Sequence, residues 1–409
     1  MRWISLLAAA VAATLLQACA ATSVPPQSAT QEARAPVTIL VSIDAFRPDY
    51  LRQGNTPNLD ALAAGGVQGT MRPSFPALTF PNHEAIITGM RPDRSGIVAG
   101  VMYDPRRPGV RFANTEATQS DEFWWEGAEP LWITAEKAGI RTGVMFWPGL
   151  EAAHEGVRPT DWARFDFNYL GGQRIRTVLD WMRRPAGIRP RFAVVYLDIV
   201  DRTAHKKGVT APETIAAVRD ADRWIGELAD GLKALGQPAN LVIVSDHGMS
   251  DVRLDRVLLT GDLLPAEAYR FTQWGPFAGI DPLPGHEAEV EAALLKPHPY
   301  AECWRKADVP ARLHYGKHPR VAAIVCLASQ GGEIVSIPPT NKADHGYDPD
   351  DPDMTALFLV NGPAFDTRAA APAKFDNVDV NPLLRRLLGL PAATSIDGSD
   401  APFAALLKH

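Results

Sequence analysis

The chain has 409 residues, 46% of them hydrophobic and 22% charged, which is enough apolar material for one large or two medium globular domains. Its 41 Lys and Arg against 47 Asp and Glu leave a formal charge of −6. That balance supplies no basic field for the sequence-independent attraction to a phosphate backbone, so a stable nucleic-acid partner is not expected.

The first elements read as an address. Arg2 precedes an apolar run from Ile4 to Leu16 that is too short to span comfortably as a mature helix, so residues 1–18 are expected to be a signal peptide. Two cleavage readings compete: Leu16-Gln17-Ala18-Cys19 has the look of a bacterial lipoprotein box, and Ala18-Cys19-Ala20 fits a small-residue cleavage site. Lipidation of Cys19 is the favoured reading, giving attachment to the membrane. Both readings export the protein to the bacterial periplasm. Residues 19–35, rich in Ser, Thr, Pro and Gln, then form a flexible tether to a folded domain at 36–409.

Within that domain, the apolar run 37–43 reads as a buried strand ending at Asp44. Thr79-Phe80-Pro81-Asn82-His83 follows, with Pro81 placed as a first helical residue and Gly89 as a residue just past the helix end. Thr79 then sits at a helix N-terminus, where free N–H groups favour an anion. On this segment alone it is equally a cap or turn residue. Ile175, Val178, Leu179 and Met182 repeat at helical spacing; strand 192–197 leads to Asp201 and His205; Ile215 to Leu232, after Pro212, repeat as a longer helix; strand 241–244 runs into Ser245-Asp246-His247. The segment from about 253 to 337 breaks this alternation and is expected to be a smaller insertion. It carries Cys303 and Cys326, an even pair expected to be bridged in an oxidising compartment, with two buried thiols as the alternative. After His345 comes a last strand, 356–360.

This βαβ order predicts an α/β fold, a mostly parallel central sheet covered by helices on both faces. Ligands in such sheets bind beyond the carboxyl ends of the strands. One acidic residue there is usually a cap, but three strands delivering carboxylates and imidazoles to one edge are not explained by capping. Asp201 and His205, four apart, share a helical face and can share an ion with His345; Asp44, Asp246 and His247 offer a second set of the same chemistry. Oxygen and nitrogen ligands of this kind suit zinc without excluding manganese or iron. Coordination to a divalent cation can make the Thr79 hydroxyl a usable nucleophile.

Read together, several motifs resemble the nucleotide pyrophosphatase/phosphodiesterase family of the alkaline phosphatase superfamily, from about residue 37 to 399. They are Ser42-Ile43-Asp44, Phe75-Pro76 with Thr79 to His83, Glu129-Pro130-Leu131-Trp132, Phe146-Trp147-Pro148-Gly149, Asp201 with His205, Ser245 to Met249, His345-Gly346-Tyr347-Asp348 and Gly362-Pro363-Ala364-Phe365. The resemblance implies an alkaline phosphatase-like catalytic domain holding two Zn2+, one on Asp201, His205 and His345, the other on Asp44, Asp246 and His247 beside Thr79. It further implies a covalent phospho-threonine intermediate at Thr79, a phosphate contact from the Phe80 N–H, and Phe80 and Tyr196 flanking a nucleobase, where their other role is core packing. Gly100 departs from the pattern. The family has a phosphate-binding Asn there, whose loss lowers rate on the order of 100-fold by analogy with oxyanion donors.

The expected function is hydrolysis of phosphodiester or pyrophosphate bonds in small nucleotides. The alternatives are diesters of lipid headgroups or glycerol, a phosphomonoesterase, and a non-catalytic metal-binding lipoprotein. A sulfatase is disfavoured, because that branch needs a Cys or Ser oxidised to an aldehyde and Thr79 cannot become one.

Overall fold

The computed structural model describes residues 34–408. The expected signal peptide, the lipidation site Cys19 and the tether up to residue 33 lie outside the described residues. The elements that place the site are, in chain order, β1 (Val37–Ile43), α1 (Pro57–Ala64), β2 (Val67–Arg72), α2 (Thr79–Thr88), β3 (Thr142–Met145) and β4 (Asp161–Ala163). They continue with α3 (Gly171–Arg183), β5 (Phe192–Leu197), α4 (Ile199–Lys207), α5 (Pro212–Ala234) and β6 (Ala239–Val244). After them come β7 (Tyr269–Gln273), β8 (Phe277–Pro282), β9 (Ala301–Arg305), β10 (Ile324–Ala328), β11 (Ala356–Asn361), β12 (Phe375–Asp376) and α6 (Val380–Leu388).

The central sheet has eight strands in the order β12-β2-β11-β6-β1-β5-β3-β4. All seven residues of β1 are buried, as a strand covered on both faces requires. It lies parallel between β5 and β6, with Val41 opposite Val195 and Ile243, so Asp44, Asp198 and Ser245 emerge at the same edge. Two helix groups flank the sheet: α5 packs against α1, α3 and α4, and α2 packs with α6. The buried stripe of α5, with Val218, Ala221, Ile225, Leu228 and Leu232, follows the helical period read from the sequence.

One strand runs against the rest. β11 is antiparallel to both β2 and β6. After β6 the chain leaves the sheet at the site edge, and no crossover helix returns it to the far edge before it re-enters at 356. It therefore enters β11 from the same edge.

A separate antiparallel sheet, β7-β8-β10-β9, forms within the segment 269–328. Cys303 and Cys326 face each other across β9 and β10 and are joined by a disulfide with Cα atoms 4.0 Å apart. Residues of this sheet share a hydrophobic cluster with Ala77, Tyr347 and Met354, so it packs directly behind the Thr79 turn and the His345 loop.

Helix α2 starts at Thr79, two residues before the start expected from Pro81. Proline is tolerated at that third position because the first four helical N–H groups have no intrahelical acceptor anyway. The helix ends at Gly89, whose φ of 74° is the left-handed conformation open to glycine. Inside α2, Glu84 is fully buried with Oε1 unpartnered, and burial pushes its carboxyl up to about 8. Because the folded pKa lies above the unfolded one, the fold favours the protonated acid, and this group lowers stability progressively as pH rises from about 4.5 to 8. Glu84→Gln removes that dependence. The stability difference between Glu84→Gln and the parent, from denaturant titrations, should widen in favour of the variant by roughly 3 kcal/mol between pH 5 and pH 8. A constant difference across that range would show that Glu84 is not protonated in the fold.

Candidate active site

Each cluster residue is delivered by a strand end or by the turn that follows it. Asp44 leaves β1 with its N–H donated to the Leu197 carbonyl at 2.9 Å, and it is 1% exposed. Asp201 and His205 are one turn apart on α4. Asp246 and His247 follow β6 and are fully buried. His345 follows a two-residue pairing of Ala343 and Asp344 with Ser250 and Asp251. In space these residues form two groups, Asp201 with His205 and His345, and Asp44 with Asp246 and His247; the donor atoms within each lie within 4.8 Å of one another. The groups adjoin, since the rings of His247 and His345 stack with centroids 3.8 Å apart.

The hydrogen bonds set which nitrogen of each ring is free. His205 Nδ1 donates to Ala343 O, His345 Nδ1 to Ala77 O and His247 Nδ1 to Gly248 O, all at 2.9 Å. With Nδ1 tied to a carbonyl, the Nε2 atom of each ring is turned to the clusters, as in histidines that ligate metals. Nε2 of His205 and of His345 approach Asp201 Oδ1 at 3.3 and 3.5 Å, and Nε2 of His247 lies 2.9 Å from Asp246 Oδ2. Yet Asp44 Oδ1, Asp201 Oδ1 and Asp246 Oδ2 are buried without a hydrogen-bond donor. Buried carboxylate oxygens normally find one, and their convergence with free imidazole nitrogens fits divalent cations.

Three carboxylates in so small a buried volume act on one another. Burial, then the charges of Asp246 and Asp201, hold the Asp44 carboxyl well above the usual carboxylate range. Burial acts the same way on Asp246, but the neighbouring His247 and His83 outweigh it and hold that group well below its ordinary value. Without a cation, burial opposes protonation of His205 and Asp201 overcomes it, raising the imidazole to about 10, so a cation taking Nε2 would displace a proton. His345 is lowered to about 4 by burial and then by His247.

Thr79 Oγ1 lies 3.4 Å from His247 Nε2, beside the second group. The turn that presents it is tied down by Asn82, which accepts the Ser74 N–H at 2.7 Å and donates to the carbonyls of Pro76 and Leu78 at 2.9 Å. The first amide bonded back along α2 is that of Asn82, to Leu78 O, so the N–H groups of Thr79 and Phe80 stay available to an anion. His83, one turn on, is fully buried: its Nδ1 donates to Thr79 O, lies 3.3 Å from Asp246 Oδ2, and its Nε2 accepts from Ser42. It holds the hydroxyl and the carboxylate in register.

The family model for type I phosphodiesterase/nucleotide pyrophosphatase matches residues 38–348. The chain belongs to this family. It is 35% identical over 376 residues to an uncharacterized pyrophosphatase/phosphodiesterase of Schizosaccharomyces pombe, covering 87% of this chain and 77% of that protein. It is 32% identical to mouse ectonucleotide pyrophosphatase/phosphodiesterase family member 1, over 92% of this chain but only 43% of that longer protein. Murine family member 5, solved as an inactive threonine-to-alanine variant in complex with AMP, superposes with a TM-score of 0.86 at 30% identity, covering 91% of this chain and 100% of that one. Membership of the type I phosphodiesterase family, within the alkaline phosphatase superfamily, makes the chain a phosphodiester hydrolase or nucleotide pyrophosphatase with a metal-dependent site.

A cavity of about 490 Å3 opens over Asp44, Thr79, Asp201, His205 and His345. Phe80 lines it half-buried, backed by Phe112 and Trp125, whose ring centroids lie 5.8 and 6.3 Å away. Tyr196 also lines it but is 8% exposed, and its hydroxyl donates to Asp44 Oδ2 at 2.5 Å, so it braces the carboxylate as well as forming wall. The more open aromatic face belongs to Phe167, 54% exposed and edge-on to Phe165 at 4.7 Å. Neither phenylalanine is marked by the sequence, because both come from the irregular stretch before α3. Lys206 reaches the cavity wall, whereas His154, His286, His298, His314 and His318 lie outside both groups. A Cβ at Gly100 would meet Gln273 Oε1 at 3.2 Å, so the amide would have to give by a few tenths of an ångström. Gln273, at the end of β7, is a cavity residue that motif reading does not find.

Proposed function

We propose that this protein hydrolyses phosphodiester or pyrophosphate bonds of small nucleotides with two zinc ions and a covalent intermediate on Thr79. The observation that carries this reading is the placement of a hydroxyl at a helix start against two adjoining carboxylate-imidazole groups whose three imidazoles all offer Nε2. Asp201, His205 and His345 would hold one ion, and Asp44, Asp246, His247 and the Thr79 oxygen the other. Bound divalent cations would supply Lewis-acid stabilisation of negative charge on the threonine oxygen, the phosphate and the leaving oxygen. Asn82 and His83 hold the Thr79 hydroxyl in place, and the N–H groups at the start of α2 receive a non-bridging phosphate oxygen. The Thr79 oxygen bonds to phosphorus as the bond to the leaving oxygen breaks, and water then cleaves the phospho-threonine, returning the hydroxyl. Phe80 and Tyr196 line the side on which a nucleobase would lie, with Phe167 adding an exposed ring. The AMP complex of the murine family member supports a nucleoside monophosphate product.

A second cavity, of about 700 Å3 and lined by Phe271, Trp274, Val335 and Ile337 among others, shares His205 and His345 with the first. Room on both sides of the reacting centre suits a phosphate carrying two substituents better than a monoester. The Cys303–Cys326 disulfide is compatible with export, and lipid attachment at Cys19 in the periplasm completes the proposal.

The test is activity and metal content together. Protein prepared with zinc should hold two equivalents and lose at least ~1,000-fold in rate on chelation, with recovery on adding Zn2+. Its kcat/KM should be higher for bis-p-nitrophenyl phosphate and a thymidine nitrophenyl ester than for p-nitrophenyl phosphate. Activity untouched by chelators, or a preference for the monoester, would overturn the proposal.

A further inference from the structure

We infer that Gln273 is a phosphate-binding residue, donating its amide N–H to a non-bridging oxygen of the substrate across the gap left by Gly100; this rests on the function proposed above. The argument begins with the strand. Register between β7 and β8 shifts between Phe271 and Gln273, and such a bulge re-aims the side chains that follow it. Gln273 is thereby turned from its own sheet towards the catalytic edge. There its Oε1 accepts the Val101 N–H at 3.1 Å, which requires the other end of the amide to be the NH2. One hydrogen of Nε2 reaches the Trp274 carbonyl at 3.1 Å, leaving the second without a partner among the described residues. Gly100 eases this arrangement, because a Cβ there would stand 3.2 Å from Oε1.

The position of the amide identifies what it meets. The two cavities share five lining residues: Leu78, His205, Gln273, Asn341 and His345. A substrate with a substituent in each cavity would place its phosphorus near that junction, which includes Leu78, the residue before Thr79. Leu78 has no polar side chain, and the imidazoles aim into the metal cluster. Asn341 directs its amide nitrogen to Asp344 Oδ2 at 2.9 Å. Gln273 is the junction residue beside Gly100 that keeps an N–H without an acceptor among the described residues, and an anionic phosphate oxygen placed there would receive it.

The experiment compares Gln273→Met, Gln273→Glu and the double variant Gly100→Asn with Gln273→Ala, each checked for unchanged zinc content and melting temperature. Methionine keeps the length of the side chain but removes the donor, and it should lower kcat/KM for bis-p-nitrophenyl phosphate by about 10- to 100-fold, mostly in kcat. Glutamate should be worse still, by charge repulsion, and the double variant should recover at least about tenfold over Gln273→Met by supplying an amide from the other side. As a readout without turnover, calorimetry of AMP binding to zinc-loaded Thr79→Ala protein should weaken at least about tenfold when Gln273→Met is added. A methionine variant within threefold of the parent, or a glutamate variant no worse than methionine, would overturn the role of Gln273 while leaving the proposed function standing. A parent with neither diester turnover nor AMP binding would overturn both.

Discussion

Thr79→Ala is expected to lower kcat/KM for a nucleoside nitrophenyl ester by about 10,000-fold or more while both zinc equivalents remain bound. The size follows from what the hydroxyl does in the proposed scheme. It is the attacking atom, so its removal leaves only positioning and electrostatic stabilisation for a water to exploit. Metal retention follows from the structure, because each group keeps a full set of carboxylate and imidazole donors without it. Quenching the parent during turnover with a 32P-labelled diester should trap label on the peptide containing Thr79, and the variant should trap none. Label found on another residue, or an alanine variant with appreciable activity, would remove the nucleophile from the scheme.

Asp44→Asn should act in opposite directions on activity and on the stability of the metal-free protein. Asp44 is almost fully buried, lacks a donor at Oδ1, and is pushed towards protonation first by burial and then by Asp246 and Asp201. Without cations this crowding is a destabilising element retained for function. Asparagine relieves it and can still accept from Tyr196. The metal-free variant should therefore be more stable than the metal-free parent, by about 1–3 kcal/mol. With zinc present the order should reverse, since the parent gains binding free energy from a site that the variant no longer completes. The variant should hold one zinc equivalent, and kcat/KM should fall by about 1,000-fold. Thermal melts of both proteins with and without zinc give all four values. A metal-free variant less stable than its parent would show that Asp44 acts as an ordinary hydrogen-bonded structural acid.

The metal-binding candidates were legible because their positions follow from local rules. A buried strand shows as an apolar run, the chemistry-bearing residues lie just past its end, and an i, i+4 pair such as Asp201 and His205 must share a helical face. Helix α2 was legible in its end, though its start lay two residues early, because free N–H groups in the first turn make Pro81 uninformative about which of them it occupies. The direction of β11 was not legible, since its apolar composition matches that of the parallel strands β1, β5 and β6, and only the route of the chain before it decides which way it runs.

What the sequence by itself determined was four strands of the central sheet, the helices around Ile175 and Ile215, the seven residues assigned to the proposed chemistry, and the family. Periodicity and strand-end position are short-range properties, and they survive without knowledge of what packs against what. Only the tertiary structure decided which nitrogen each histidine presents, that Tyr196 braces Asp44, that Phe167 offers the open ring, and that Gln273 stands over Gly100. Those depend on contacts between segments far apart in the chain, in the last case between a loop near residue 100 and a bulged strand of a separate sheet, and no local pattern encodes such a meeting.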